Sequence, residues 1–184
     1  MYFFIGIAAV AALLLLWAIM LYNRFVRFKA MIEEAWSGID VQLKRRHDLI
    51  PNLVSTVQGY ASHEKQTLTQ VTEARSRCME AGGPQEAAMA ESFLGQALGK
   101  LFALSESYPE LKADAGFRQL QDQLATLEND IQNARRYYNG TVRQMNVAVD
   151  SFPSNIIAGM FNFTRAEYFE LEDAAERAVP EVKF

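Results

Sequence analysis

The chain has 184 residues and a formal net charge of −4, from 18 lysine and arginine and 22 aspartate and glutamate side chains. This balance argues against a nucleic-acid-binding protein that works by bulk positive charge, and the single cysteine excludes an internal disulfide framework. The low counts of 10 glycines and 5 prolines also argue against a collagen-like, low-complexity or turn-rich all-β chain.

An uncharged apolar run opens the chain at residues 2–22. At 1.5 Å per residue, such a helix is about 31 Å long and matches a hydrocarbon core of about 30 Å. A cleaved signal peptide is the alternative, but no basic residue precedes the run, and it exceeds the roughly 7–15 apolar residues of a signal peptide. The sequence therefore predicts a retained transmembrane anchor over residues 1–22.

Basic residues follow this run immediately, at Arg24, Arg27 and Lys29. The positive-inside rule then places the N-terminus outside and the rest of the chain on the cytoplasmic side of the inner membrane. The inverted topology is the alternative. An unpaired Cys78 agrees with a reducing compartment.

Two helices are expected next. Apolar residues recur about every 3.5 positions over residues 23–81, the heptad spacing of a long helix supercoiled with partner helices. Gly82, Gly83 and Pro84 end that helix and open a second over about residues 84–107. Tyr108 and Pro109 stop the second helix, because a residue before proline avoids the helical region.

A third helix is predicted from Phe117 to Phe152, where apolar positions alternate by three and four. Asn139-Gly140 usually marks a turn, but the apolar spacing stays in phase across it, so the helix is expected to continue until Pro153. An apolar segment, residues 154–163, comes next. Thr164-x-x-Glu167 then matches a capping box that opens a short last helix.

This organisation is all-α: a transmembrane helix and then a long antiparallel bundle of three long helices and a short C-terminal one. The predicted divisions are an anchor at residues 1–22, a bundle at 23–163 and an acidic tail at 164–184. By length, the second helix covers only the far part of the first. An apolar stripe near the membrane then lacks a partner, unless the apolar tail folds back over it or neighbouring chains cover it. We favour a homo-oligomer with this stripe as its interface: Phe25, Phe28, Ile32, Trp36 and Ile39.

A polar run interrupts the first helix's apolar spacing at Arg45, Arg46, His47 and Asp48, just before Pro51. We interpret it as a polar belt in which Arg46 contacts the helix seam and Pro51 kinks the helix. In a variant of this interpretation, Asp48 caps a new helix that starts near Pro51. A basic, histidine-containing binding patch is the functional alternative.

The remaining candidates for chemistry are weak. His47 and His63 are 16 residues apart, which puts them about 160° apart on one continuous helix and prevents them from chelating one ion. Cys78 lies on the apolar stripe and is expected to be a buried structural thiol. Arg135 and Arg136 could bind an anionic partner. We therefore expect no catalytic residues, no cofactor and no metal site.

Six stretches of the chain match a known family in the right order: Tyr22-Asn23, Arg45 to Val54, Thr72 to Arg75, Tyr108 to Ala113, Ala134 to Asn139 and Ser151 to Asn155. Together they resemble the LemA family of bacterial membrane proteins. The resemblance implies a single N-terminal span and a bundle usually described as four-helical. To agree with that count, the first long helix would have to be split, or the tail would have to be counted as a helix. The resemblance also implies envelope or organelle-membrane factors, some associated with magnetosome membranes and others encoded beside membrane proteases, without an established activity.

The expected function is that of a non-enzymatic, membrane-anchored scaffold that self-assembles in the bacterial envelope. Its partners would be membrane lipid and further copies of itself, with no nucleic acid. The alternative is an accessory or sensor subunit that binds another membrane protein, such as a protease, through the acidic tail, Arg135 and Arg136.

Overall fold

The computed structural model describes residues 1–170, which form six helices and no strand. The all-α prediction is confirmed. The helices are α1 (Tyr2–Tyr60), α2 (Lys65–Glu80), α3 (Pro84–Ser105), α4 (Pro109–Ala113), α5 (Ala115–Asp150) and α6 (Ser154–Met160). The chain divides into two compact units: residues 1–38 with 136–167, and residues 39–135 with the described residues from 168 onward. We call them unit 1 and unit 2.

The N-terminal part of α1 is an apolar surface without protein around it. Residues 2–16 are all exposed, and within residues 1–170 α1 is the one helix long and apolar enough to cross a membrane. Apolar side chains exposed over this length are stable in lipid rather than in water. This feature supports membrane association; the predicted sidedness stays a prediction.

The predicted helix over residues 23–81 is wrong in one respect, because α1 ends at Tyr60 and α2 begins at Lys65. The backbone N–H of Ala61 still donates to Val57 at 2.8 Å, and that of Glu64 donates to Ala61 at 3.1 Å, closing a tight turn. The apolar spacing had concealed this turn, since residues on both sides of it face the same core. The first helix is therefore split, which is one of the two ways in which the helix count could agree with a four-helical family.

Among the described residues of unit 2, an apolar core receives side chains from α1, α2, α3 and α5. Burial of this core supplies most of the favourable free energy of folding in such a unit. Its buried members are Ile50, Leu53, Val57, Ala61, Leu68, Val71, Ala74, Cys78, Ala90, Leu94, Ala97, Leu98, Leu101, Leu111, Phe117 and Leu124.

Polar contacts tie the loops of unit 2 together at one end. The Tyr60 hydroxyl donates to Asp114 at 3.0 Å, and the Tyr108 hydroxyl donates to Glu64 at 3.0 Å. Asp114 also caps α5, because its Oδ1 accepts the backbone N–H of Phe117 at 2.8 Å. This backbone hydrogen bond, with that from Tyr60, lowers the pKa of Asp114.

The prediction of an unbroken third long helix is confirmed, since α5 continues through Asn139 and Gly140 to Asp150. In unit 1, α5 packs on the start of the bundle part of α1. The unit 1 core comprises Phe25, Phe28, Met145, Ala148, Ile157 and Ala158.

The apolar stripe of α1 is covered by the chain itself. Phe25 and Phe28 are only 1% and 6% exposed, and the Phe163 ring stacks on Phe25 with centroids 4.9 Å apart. The Trp36 ring packs on the Tyr138 ring, with centroids 5.6 Å apart. The expectation that this stripe lacks a partner within the chain is therefore wrong; the segment after Pro153 folds back over it, which was the alternative. Ile39 is also buried and Ile32 is partly buried.

The capping box predicted at Thr164 does not open a helix within the described residues, since 163–170 are non-helical. Side chains of α5 hold this segment instead. The Asn146 amide accepts the N–H of Ala166 at 2.8 Å and donates to its carbonyl at 3.0 Å, and the Tyr138 hydroxyl donates to the carbonyl of Glu167 at 2.9 Å. The rest of the predicted acidic tail lies outside the described residues.

Candidate functional site

The polar run of α1 is the place where ionisable groups enter the core of unit 2. His47 is buried, and the Arg46 side chain is only 12% exposed, whereas Arg45, Asp48 and Pro51 are exposed. Helical geometry explains why some of these residues are buried and others are exposed. Consecutive residues of a helix point in different directions, so only some of them face the neighbouring helices.

The carboxylate of Glu91, on α3, contacts both inward-facing side chains, those of Arg46 and His47. His47 Nε2 lies 2.5 Å from Glu91 Oε1, and Arg46 Nη1 donates to Glu91 Oε2 at 3.3 Å. Arg46 Nη1 also pairs with Glu128 Oε2 of α5 at 3.2 Å. Both oxygens of the buried carboxylate are thus bonded, and three helices are joined through one charged network. This is the condition under which a buried charge is tolerated.

The proline in the same run accounts for a further contact. Pro51 has no backbone N–H, so the carbonyl of His47, four residues earlier, cannot receive the usual helical hydrogen bond. Arg75 of α2 donates its Nε–H to this carbonyl at 2.8 Å. The helix continues through Pro51, so the variant in which Asp48 caps a new helix there is wrong. We call Arg46, His47, Arg75, Cys78 and Glu91 the His47 cluster.

Cys78 completes the cluster from α2. Its Sγ lies within 4.8 Å of the ligand atoms of His47 and Glu91. Burial, followed by the neighbouring Glu91 carboxylate, raises the pKa of the Cys78 thiol far above its ordinary value. The thiolate is the nucleophilic form; a thiol kept protonated in this way is a poor nucleophile at neutral pH.

His47, Cys78 and Glu91 are residue types that bind zinc, and among residues 1–170 they are a group with suitable spacing. Their present bonding disfavours a cation, because both oxygens of Glu91 are occupied and the Arg46 guanidinium lies beside them. His63 is exposed in the turn after α1, so the premise of one continuous helix behind the predicted His47–His63 geometry is wrong. The cluster is best described as a hydrogen-bonded ionic core.

A groove of about 670 Å³ opens beside the cluster between α3 and α5. Gly95 and Gly99 lie on its α3 side, where the absence of side chains leaves room. Its walls combine apolar side chains, including Leu98 and Phe102, with the charged groups of Arg46, Glu91 and Glu128. The buried ring of Phe169 also lines it, so the chain's own tail occupies part of this space.

Of the other predicted site residues, Arg135 bonds the Gln132 side chain of the same helix at 3.5 Å, and Arg136 is exposed. Neither is part of the His47 cluster. The proposed role of this arginine pair in binding a partner stays a prediction.

Comparison with known proteins now gives the family. The family model described as the LemA family matches residues 35–184. The chain belongs to the LemA family. Magnetosome protein MamQ 2 of Paramagnetospirillum magneticum is 27% identical over 187 residues, covering 88% of this chain and 69% of that protein. Magnetosome protein MamQ of Magnetospirillum gryphiswaldense is 26% identical with the same coverage. Protein LemA of Metamycoplasma hominis is 25% identical over 155 residues, covering 82% and 69%.

The stretches that carried the resemblance to the LemA family now have physical roles. Arg46, His47 and Pro51 come from one stretch, and Arg75 comes from the next, and they meet in the His47 cluster. In the following stretch, Tyr108 bonds Glu64. These residues thus join helices to one another.

Sequence reasoning did not single out Glu91, and it named Arg75 only as the end of a stretch that carries the family resemblance. A signal for Glu91 was present, because it continues the three-four spacing of Ala87, Leu94 and Leu98. A carboxylate at such a seam position requires a buried partner. Which residue supplies that partner depends on how the helices pack, which the spacing alone does not give.

We expect the roles of Pro51 and Arg75 to be energetically coupled. Arg75→Leu leaves the buried carbonyl of His47 without a donor, which costs about 1–3 kcal/mol. In a Pro51→Ala background, the new N–H of residue 51 can bond that carbonyl, so the same change should cost about 1 kcal/mol less. Urea unfolding of the four proteins measures this difference. Arg77→Leu, an exposed arginine of α2, is the control, and an equal cost of Arg75→Leu in both backgrounds would contradict the assignment.

The two carboxylates that bind Arg46 should differ in importance. Glu91 is 4% exposed and Glu128 is 45% exposed, at similar distances from Arg46. Glu91→Gln should lower the free energy of unfolding by about 2–4 kcal/mol, because it removes the buried negative charge that faces the Arg46 guanidinium. Glu128→Gln should lower it by less than about 1 kcal/mol. Chemical denaturation compares them, and a Glu91→Gln protein as stable as the Glu128→Gln protein would refute a central role for Glu91.

Cys78 should make stability fall in alkaline solution. Its folded pKa lies above the unfolded value of about 8.5, so above that pH the unfolded state loses a proton that the folded state keeps. The free energy of unfolding therefore decreases by up to about 1.4 kcal/mol per pH unit. Cys78→Ala should remove this part of the decline between pH 8 and pH 10. The same decline in both proteins would show that the thiol is not responsible.

Proposed function

We propose that this LemA-family protein is a non-enzymatic scaffold that is anchored in a bacterial membrane and assembles there into a larger particle. The observation that carries the proposal is the continuity of α1, which runs unbroken from an exposed apolar surface able to cross a membrane into the helical core. A helix without a break links the membrane segment directly to the bundle, as a scaffold requires. The basic residues Arg24, Arg27 and Lys29 support a cytoplasmic location for the bundle.

The chemistry of the His47 cluster supports a structural role. The one thiol near a histidine is held in its protonated form, and that histidine is already bonded to Glu91. An activated nucleophile would need a lowered pKa or a base free to accept its proton. The names of the relatives include no reaction, which agrees with this proposal.

The polar belt acts in this proposal as a device for helix register. A buried ionic group contributes little net stability but strongly disfavours arrangements in which it loses its partner. Arg46 and His47 both contact Glu91 in the alignment of α1 and α3 that the structure has, and a shift of one helix along the other would separate them. A bundle with a single alignment presents a constant outer surface, which repeated assembly needs.

Assembly would use surfaces other than the stripe at Phe25 and Phe28, which the chain itself covers. Met89 and Phe93 are exposed and lie four residues apart on α3, so they share a helix face. Exposed apolar pairs of this kind favour association. We propose this pair as a contact between copies.

A second candidate function has its own support. The groove between α3 and α5 has apolar walls and a charged corner at Arg46 and Glu128, features of sites that take a peptide segment. An accessory subunit that binds a segment of another membrane protein, such as a protease, would use this groove.

The mass of the full-length protein in mild detergent tests the scaffold proposal. We expect a discrete particle containing several 20.8 kDa chains, measured by light scattering and particle imaging. The double variant Met89→Glu, Phe93→Glu should reduce the particle mass while circular dichroism stays unchanged, because both side chains are exposed. Met79→Glu, at an exposed position of α2, is the matched control.

A monomer at all concentrations would contradict the scaffold proposal and favour the accessory subunit. In that case, a foreign membrane protein should co-purify in fixed ratio and be lost when Gly99→Trp fills the groove. An unchanged particle mass in the double variant would reject only the contact at Met89 and Phe93.

A further inference from the structure

A long uncharged segment lies between α5 and the C-terminal tail. Residues 151–164 contain no charged side chain, and they are bounded by Asp150 and Arg165, whose side chains pair at 3.3 Å. This ion pair brings the two ends of the segment together, and only apolar and neutral polar residues lie between them. It contains α6.

One face of this segment packs against the membrane end of α1. Ile157 and Ala158 are buried in the core of unit 1, and Ala18 and Leu21 of α1 pack against that core. Ala18 and Leu21 belong to the uncharged run that forms the membrane-spanning part of α1. The Phe161 ring also contacts Tyr22, with centroids 4.8 Å apart. The segment therefore lies at the level where α1 enters the bilayer.

Hydrogen bonds fix which face turns inward. The Ser154 hydroxyl donates to the carbonyl of Ala148 at 2.7 Å at the start of α6. At its end, Asn162 has a φ of 57°, and the N–H of Phe163 donates to the carbonyl of Ala158 at 2.9 Å. This is the hydrogen bond of a helix closed by a left-handed residue, and it returns Phe163 to its stack on Phe25.

The opposite face is apolar and exposed. Ile156 and Met160 lie four residues apart on α6, so they share a face, and Phe152 and Phe161 flank the helix. All four are at least half exposed. An exposed cluster of large apolar side chains beside a membrane segment is a surface that water disfavours.

We propose that α6, with Phe152 and Phe161, inserts into the membrane interface and forms a second lipid contact beside the spanning helix. Three features favour the bilayer as the occupant. The surface continues the lipid-exposed part of α1, it carries no charge that lipid would have to desolvate, and its aromatic rings suit the headgroup region. A soluble protein could not cover side chains at the level of Leu21 without entering the lipid itself.

The position of charges agrees with shallow insertion. Asp150 and Arg165 pair at the base of the segment and are exposed, where headgroups and water can solvate them. Arg24 and Arg27 lie just beyond Tyr22 on α1 and can meet anionic headgroups. The charged boundary of the segment and that of α1 thus fall in the same part of unit 1.

A second lipid contact has a mechanical consequence. One helix crossing a bilayer leaves a protein free to rotate about the helix axis, whereas a second insertion beside it fixes which face of unit 1 meets the membrane. This inference requires only that α1 spans the membrane, so it stands or falls independently of self-assembly.

Depth-dependent fluorescence quenching tests the insertion in the full-length protein. Cys78→Ala removes the native thiol, and Met160→Cys then carries an environment-sensitive fluorophore in phosphatidylcholine–phosphatidylglycerol vesicles. Met20, in the membrane run, and Met79, on α2, are the matched control sites for the label. Their side chains are 63% and 62% exposed, similar to the 68% of Met160. Nitroxide-labelled lipids should quench the label at residue 160 several-fold more than that at residue 79, approaching residue 20.

Two results would overturn the proposal. A label at residue 160 that reports water and escapes quenching, as at residue 79, would show that α6 lies outside the bilayer. A label that reports an apolar environment without quenching by lipid would show that protein, such as a second copy, covers α6. Phe152→Cys repeats the measurement at a second exposed site, and circular dichroism confirms that each labelled protein is folded.

Discussion

The packing of unit 2 depends on one backbone carbonyl that lacks its helical donor. Pro51 cannot donate to the carbonyl of His47, and Arg75 does so instead. His47 and Arg75 are each 14 residues from Ala61 in sequence, so this bond aligns α1 and α2 about the turn that follows Ala61. A proline that would only weaken an isolated helix thereby creates a site that a second helix must occupy. The side chain of His47 then extends the same contact to Glu91 of α3.

The His47 cluster and the apolar core contribute different things to the bundle. Burial of groups such as Leu53, Val71 and Leu94 favours the compact state without selecting one alignment of the helices, because apolar contacts are not directional. The ionic network gains little net free energy after desolvation, but every misaligned state would leave a buried charge unpaired. Stability therefore comes chiefly from the apolar residues, whereas the contacts of Arg46 and His47 with Glu91 penalise packings in which these groups are separated.

The elements that sequence could predict are those with a local cause. The spacing from Phe117 to Phe152 predicted α5, and Tyr108-Pro109 predicted the end of α3. The turn at residues 61–64 was missed because Val57, Ala61 and Leu68 keep a helix-like spacing across a chain reversal. The pairing of Glu91 with His47 depends on tertiary packing. At Thr164, a local capping signal was overridden by the Asn146 side chain of α5, which bonds both backbone groups of Ala166.

Two aromatic side chains in the segment after α6 cover surfaces that a binding partner would otherwise find open. Phe163 covers the α1 stripe in unit 1, and Phe169 fills part of the groove in unit 2. A partner that used the stripe would first have to displace Phe163 from Phe25, exposing a buried aromatic core to water at a cost of several kcal/mol. A partner in the groove has to displace or pack around only Phe169, because the remaining walls are already open. Surfaces that need no such displacement, on α3 and α6, are therefore the places where association is energetically simplest.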